Sequence, residues 1–302
     1  MTPKPKLQIL SSLIAVVLLL LAFLPLEYAC IDASDWMADL DDTLPLSALT
    51  IPGTHDSGAL YSIADVAGKC QSLSVSEQLR AGVRFFDIRL QLRGDKLAVV
   101  HSFVDQMTDF ADVLDDMTDF LRDHPTEFLL VSIKQDADPK DPATTFADAV
   151  DQMLSAYPDL VRADRTLPET VSDARGTMTV LARYADAEVG VPAYDGWQDN
   201  TSFPIGDLYV QDHYAIDAIT DKQQDIMDAF AVAAEPSYAL TLNYVSCYLS
   251  HGFPPLYAAT PAKTLLPWLD TYLSDHAEIR GVIICDFMTS ALCEQIWRCN
   301  FQ

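Results

Sequence analysis

Eight short apolar runs, most of them separated by helix-length stretches, constrain this chain more than any other feature. They begin at Leu49, Val83, Leu97, Phe128, Met178, Leu208, Ala239 and Gly281. Runs this short read as buried strands, and strands alternating with helices favour a parallel sheet covered by helices. The expected fold is therefore α/β, a single distorted (βα)8 TIM-type barrel. The first strand is expected to stop abruptly at Pro52-Gly53. Only Gln91 to Lys96 separates the second run from the third, which is too short for a helical crossover and predicts a hairpin-like irregularity.

The carboxyl ends of these runs carry the chemistry. His55 and Asp56 follow the first, Asp87 and Arg89 share one face of the second by strand alternation, and His101 ends the third. Lys134, Arg183, Asp212 with Tyr214, Asn243 and Asp286 end the others. A barrel gathers strand ends into one mouth, so residues spread from 55 to 286 can meet. Two histidines beside one arginine are the parts needed to cleave a phosphodiester with an internal hydroxyl: a base, an acid and a cation for the phosphorane. Metal-dependent phosphodiesterases instead gather carboxylates around a divalent ion, which a cationic Arg89 next to Asp87 would oppose. No metal and no cofactor are expected.

The amino terminus is different in kind. Lys4 and Lys6 precede a nearly pure apolar run from Ile9 to Leu26, so residues 1–29 read as a signal peptide or membrane anchor ahead of a catalytic body at 30–302. Glu27 and Tyr28 suit a cleavage site poorly and keep the anchor open as an option. No Gly/Ser-rich linker divides the body. The net charge of −25 argues against nucleic acid and against simple electrostatic docking on an anionic bilayer. A body secreted, or anchored with its barrel outside the cytoplasm, and working as a monomer is the expectation. Six cysteines without a CxxC pair argue against a zinc motif. Export makes disulfides an option with connectivity open, while Cys285, inside an apolar run, reads as a buried thiol.

Four stretches carry a family resemblance. Leu49 to Ser57 (LTIPGTHDS), Gln78 to Arg89 (QLRAGVRFFDIR), Val99 to His101 and Val210 to Tyr214 (VQDHY) closely resemble the X domain of bacterial phosphatidylinositol-specific phospholipase C. The resemblance implies a distorted barrel and a two-step, metal-independent reaction on an inositol phospholipid at a membrane surface. By position it makes His55 the general base, His101 the general acid and Arg89 the stabiliser of the pentacoordinate phosphate, with Asp56 assisting Arg89. It makes Asp286 the carboxylate that orients His55, and Asp87 a second carboxylate near the phosphate. Lys134, Arg183 and Asp212 become inositol contacts, and Tyr214 the aromatic wall behind the ring. Calcium-dependent eukaryotic members look different, with an acidic residue where this chain has Arg89. Lipid contact is expected from Leu60, Tyr61, Ile63, Trp197 and the run Phe253 to Tyr257. Two alternatives are a metal-dependent glycerophosphodiesterase, whose His-Arg-Gly start and Glu-x-Asp pair do not appear where required, and a non-catalytic inositol-lipid-binding surface protein. Intact His55, His101, Arg89 and Asp286 argue against the latter.

Overall fold

The computed structural model describes residues 31–62, 68–235, 237–251, 258–276 and 278–302. The apolar amino-terminal run, Ile63 and the Phe253 to Tyr257 stretch lie outside the described residues. Residues Ala33–Gln302 make one compact unit. No helix among the described residues is long and apolar enough to cross a membrane.

The strands in chain order are β1 (Thr50–Thr54), β2 (Phe85–Arg93), β3 (Lys96–His101), β4 (Val104–Asp109), β5 (Leu129–Gln135), β6 (Met178–Arg183), β7 (Val191–Pro192), β8 (Ser202–Ile205), β9 (Leu208–Gln211), β10 (Ala215–Ile216), β11 (Leu240–Tyr244), β12 (Tyr248–Leu249) and β13 (Gly281–Cys285). The helices are α1 (Val75–Ala81), α2 (Phe110–Asp123), α3 (Phe146–Leu154), α4 (Val171–Ala174), α5 (Ile219–Ala234), α6 (Ala259–Asp275) and α7 (Ser290–Arg298). Parallel neighbours run β7-β6-β5-β2-β1-β13-β11-β9, and β8 closes the row antiparallel to β9. No ladder among the described residues joins β7 to β8, so the barrel wall is open there and the expected distortion is real. Strands β1, β6, β11 and β13 are buried at every position, as apolar strands covered on both faces must be.

Two sequence expectations change. The strand that was to stop at Pro52-Gly53 continues to Thr54. Pro52 still accepts from the Arg84 amide at 2.9 Å, and Gly53 lets β2 come close, since a Cβ there would sit 3.0 Å from that of Phe85. The third apolar run, β3, is not a wall strand: as the short gap from Gln91 to Lys96 led one to expect, it returns antiparallel along β2 as a hairpin, with Leu90 opposite Val99, through the two-residue turn Gly94-Asp95. Gly94 has φ 62, which its missing side chain allows. The short strand β7 takes the vacated parallel position beside β6.

Local signals held where the chemistry is local. Ser74 and Glu77 form a capping box at the start of α1, and Gly82 ends that helix at φ 101. This helix hands the chain directly to β2. Outside the wall, α7 packs on β1 and α5 on β9 and β11, covering the apolar outer faces of those strands.

Candidate active site

Register places the charged groups before any side chain is considered. Arg89 on β2 lies opposite Lys134 on β5, and Lys134 lies opposite Arg183 on β6, so three cations stand in one row across adjacent strands. On the other side Thr54 of β1 pairs with Cys285 of β13, which leaves His55 and Asp286 side by side one step further on. Beyond β1 the chain turns through Asp56 at φ 42, a left-handed conformation that aspartate tolerates better than most residues. Ser57 pins the turn, its amide donating to Asp87 O at 2.8 Å and its hydroxyl to Thr54 O at 3.0 Å.

Two imidazole–carboxylate pairs result. His55 Nδ1 donates to Asp286 Oδ1 at 2.8 Å, and His55 Nε2 accepts from Arg89 Nη2 at 2.8 Å. That pattern requires the neutral tautomer with its proton on Nδ1 and its lone pair facing the cleft. Burial works most strongly against the charged imidazole and the Arg89 charge adds to it, but the Asp286 carboxylate, joined by Asp87, outweighs both, so the pKa of His55 is raised. The second pair joins His101 Nδ1 to Asp56 Oδ2. His101 arrives from the other direction, at the end of the returning strand β3, and is the more exposed of the two rings.

Arg89 sits between the pairs. Its Nε lies 3.1 Å from Asp87 Oδ2 and 3.9 Å from Asp56 Oδ2, and its Nη1 3.6 Å from Asp136. Asp87 is fully buried beneath it; burial would raise this carboxyl, but Arg89 and Arg183 hold it far below the carboxylate range. For Asp136 burial also acts upward, yet Arg89 and Lys134 bring the pKa down to about 2. Lys134 donates to Asp136 at 2.7 Å, and burial lowers its own pKa. Arg183 reaches Asp87 and the Tyr244 hydroxyl, each at 3.4 Å, and lies 3.7 Å above the ring of Trp197.

A cleft of about 760 Å³ opens over these groups. His55, Arg89, His101, Lys134, Arg183, Asp212, Tyr214 and Asp286 all line it, while Asp56 and Asp87 lie buried behind its wall. Two placements carry contacts beyond the expectation. Asp56, expected to assist Arg89, lies 3.9 Å from its Nε and is also bonded to His101, because the left-handed turn after β1 points it toward the returning hairpin. Trp197, expected at a lipid-facing rim, stacks on Arg183 in the cleft, with its ring also edge-on to Phe203. Leu60 is half-buried, and Tyr61 is exposed.

Sequence reading missed Asp136, Asp199 and Cys70. Asp136 lies two residues past Lys134, a spacing that could have signalled it; Asp199, which accepts from the Tyr214 hydroxyl at 2.7 Å, had no such signal. Cys70 Sγ lies 3.8 Å from His101 Nδ1, and burial pushes its pKa well up. The five described cysteines are all free and buried, so none of the disulfide options involving them is formed.

The phosphatidylinositol-specific phospholipase C X domain model matches residues 43–168. A 1-phosphatidylinositol phosphodiesterase from Listeria monocytogenes is 25% identical over 268 residues, spanning 85% of this chain and 82% of that one. A 1-phosphatidylinositol phosphodiesterase from Staphylococcus aureus is 29% identical over 199 residues, 60% of this chain and 64% of that one. A solved structure of a histidine-to-tyrosine mutant of the phosphatidylinositol-specific phospholipase C from Staphylococcus aureus superposes with a TM-score of 0.78 at 25% identity, covering 87% of this chain and 96% of that one.

Proposed function

This chain belongs to the bacterial-type phosphatidylinositol-specific phospholipase C family, and on that footing we propose that it cleaves the phosphodiester of phosphatidylinositol, or of a glycosylated inositol lipid, to inositol 1,2-cyclic phosphate and diacylglycerol. The observation that carries this reading is the convergence on Arg89 of two imidazoles from opposite chain directions, each backed by its own carboxylate.

In the proposed reaction His55 Nε2 takes the proton of the inositol 2-hydroxyl, and Asp286 stabilises the imidazolium that forms through the Nδ1–H. The freed oxygen attacks phosphorus. Arg89, released from the Nε2 lone pair once that nitrogen is protonated, turns its Nη2 donor to the phosphoryl oxygens and supplies the charge stabilisation a metal gives elsewhere. His101, protonated on Nε2 and held by Asp56, delivers its proton to the departing glycerol oxygen. Asp87 fixes the guanidinium from below. Lys134, Arg183 and Asp212 hold inositol hydroxyls, and Tyr214 backs the ring.

The lipid partner suggests what the exposed apolar residues are for. Phe103 and Met107 are 77% and 78% exposed on the β3–β4 hairpin, and Tyr61 is tied to it by its amide donating to Gln106 Oε1 at 2.8 Å. They stand beside His101, on the leaving-group side, where acyl chains would remain in the bilayer. With so acidic a body, we read membrane contact as apolar rather than electrostatic. We read the barrel as working outside the cytoplasm, released or held by residues 1–29, and as a monomer, since one chain supplies every group.

Phosphorus NMR of phosphatidylinositol turnover in EDTA tests the reading. A cyclic phosphate resonance that precedes any open phosphomonoester is the expected result. Loss of turnover in EDTA would transfer the chemistry to a metal, and no turnover under any condition would leave a binding protein.

A further inference from the structure

The proposed acid–base steps leave the buried Cys70 thiol unused. Cys70 stands between the two imidazole–carboxylate pairs, and donor atoms of Asp56, Cys70 and His101 all lie within 4.8 Å of one another. We propose that these three residues form an inhibitory site for a thiophilic divalent cation of the Zn²⁺ type.

The donor set is a thiolate, an imidazole and a carboxylate, the ligands zinc takes in tetrahedral sites, and a thiolate disfavours magnesium and calcium. The spacing fits as well. Zinc bonds of about 2.3 Å to sulfur and 2.0 Å to nitrogen at a tetrahedral angle put the two atoms roughly 3.5 Å apart, against 3.8 Å between Cys70 Sγ and His101 Nδ1. Asp56 Oδ1 is fully buried with no hydrogen-bond partner, which leaves an acceptor oxygen unspent at this cluster. His101 and Cys70 line the open cleft, so an ion has a path in. His55, Cys70 and Asp286 are similarly close, but the guanidinium of Arg89 is nearer there, 2.8 Å from His55 Nε2, than at the proposed site, where its Nε is 3.9 Å from Asp56 Oδ2. The field at the mouth is also permissive. Asp56, Asp87, Asp136, Asp199, Asp212 and Asp286 outnumber Lys69, Arg89, Lys134 and Arg183.

Binding is a ligand exchange without redox change. The Cys70 thiol gives its proton to solvent, the His101 proton moves from Nδ1 to Nε2, and Nδ1, Sγ and an Asp56 oxygen take the metal. Metallated in this way His101 cannot become an imidazolium. The inhibitory consequence thus rests on the acid role proposed for His101, whereas the site itself does not.

The test uses the intact protein with excess Mg²⁺ to occupy exposed carboxylates. Calorimetric titration with ZnCl₂ is expected to show one tight site, and Co²⁺ is expected to give a near-ultraviolet thiolate-to-metal band with tetrahedral visible absorption. Cys70→Ala should abolish the band, weaken Zn²⁺ binding at least tenfold, and leave metal-free cleavage within about threefold, with melting temperature checking the fold. Half-inhibition by Zn²⁺ should rise by the same factor. Equal Zn²⁺ affinity in the variant, or a cobalt complex without the thiolate band, would overturn the site. Tight binding through Cys70 with undiminished cleavage would overturn the inhibition. Both metal measurements need no turnover, so they stand even if the proposed reaction does not.

Discussion

Two arginines frame the first half of β2, and they live in opposite chemistry. Arg84, at the closed end, has no exposure; it donates to Glu127 at 2.7 Å and to the backbone oxygens of Leu79, Val83 and Ser34 at 2.8–2.9 Å. Arg89, at the mouth, spends its donors on side chains: Asp87, Asp136 and the lone pair of His55. Backbone oxygens cannot be displaced by a ligand, whereas a contact to an imidazole lone pair ends as soon as that imidazole takes a proton. The same residue type is thus a clamp just ahead of the strand and an exchangeable charge within it.

The largest effects should fall on the mouth. His55→Ala and His101→Ala should each lower kcat/KM for cyclic phosphate formation by roughly 10²–10⁴ without changing the melting temperature appreciably. The double variant should lose far less than the product of the two losses, because the pair acts as a unit. Arg89→Met should cost about 10²–10³ in kcat; a variant that keeps its rate would remove the guanidinium from the mechanism.

At the closed end the expectation inverts. Arg84→Met strands the Glu127 carboxylate and should cost about 3–5 kcal/mol in urea unfolding. Cleavage of a soluble inositol phosphodiester per folded molecule should stay at the parent rate. Adding Glu127→Leu should recover much of the stability. If Arg84→Met instead lost rate at full stability, the contrast between the two ends would collapse.

A smaller effect concerns pH. A base works when neutral, so kcat/KM should rise as pH climbs through the raised pKa of free His55, placing the acid limb above the ordinary imidazole value of about 6.5. Asp286→Asn removes the carboxylate that raises it most and leaves burial and Arg89, which lower it, opposed only by the weaker pull of Asp87, so the limb should move to lower pH. A limb that stays put would assign that titration to another group. Smallest of all, Phe103→Ser with Met107→Ser should reduce vesicle cleavage roughly tenfold, a fraction of what full burial of two such side chains is worth, and spare the soluble substrate. Equal loss on both substrates would make the hairpin part of the chemistry.

The sequence determined the apolar runs, their helix-length spacing, the capping box at Ser74 and the residue types waiting at each strand end, because these follow from local periodicity and backbone preference. Partnership was another matter. Asp286 and Asp56 reach their histidines across 231 and 45 residues of chain, and no local signal says which carboxylate takes which ring. Strand register, the return of β3 along β2 and the left-handed turn at Asp56 settled that choice. For the same reason Cys70 went unnoticed at the site and the stacking of Trp197 on Arg183 was not foreseen. Hydrophobic patterning fixes which residues lie inside, but the pairing of polar groups depends on distances that exist only once the barrel has been assembled.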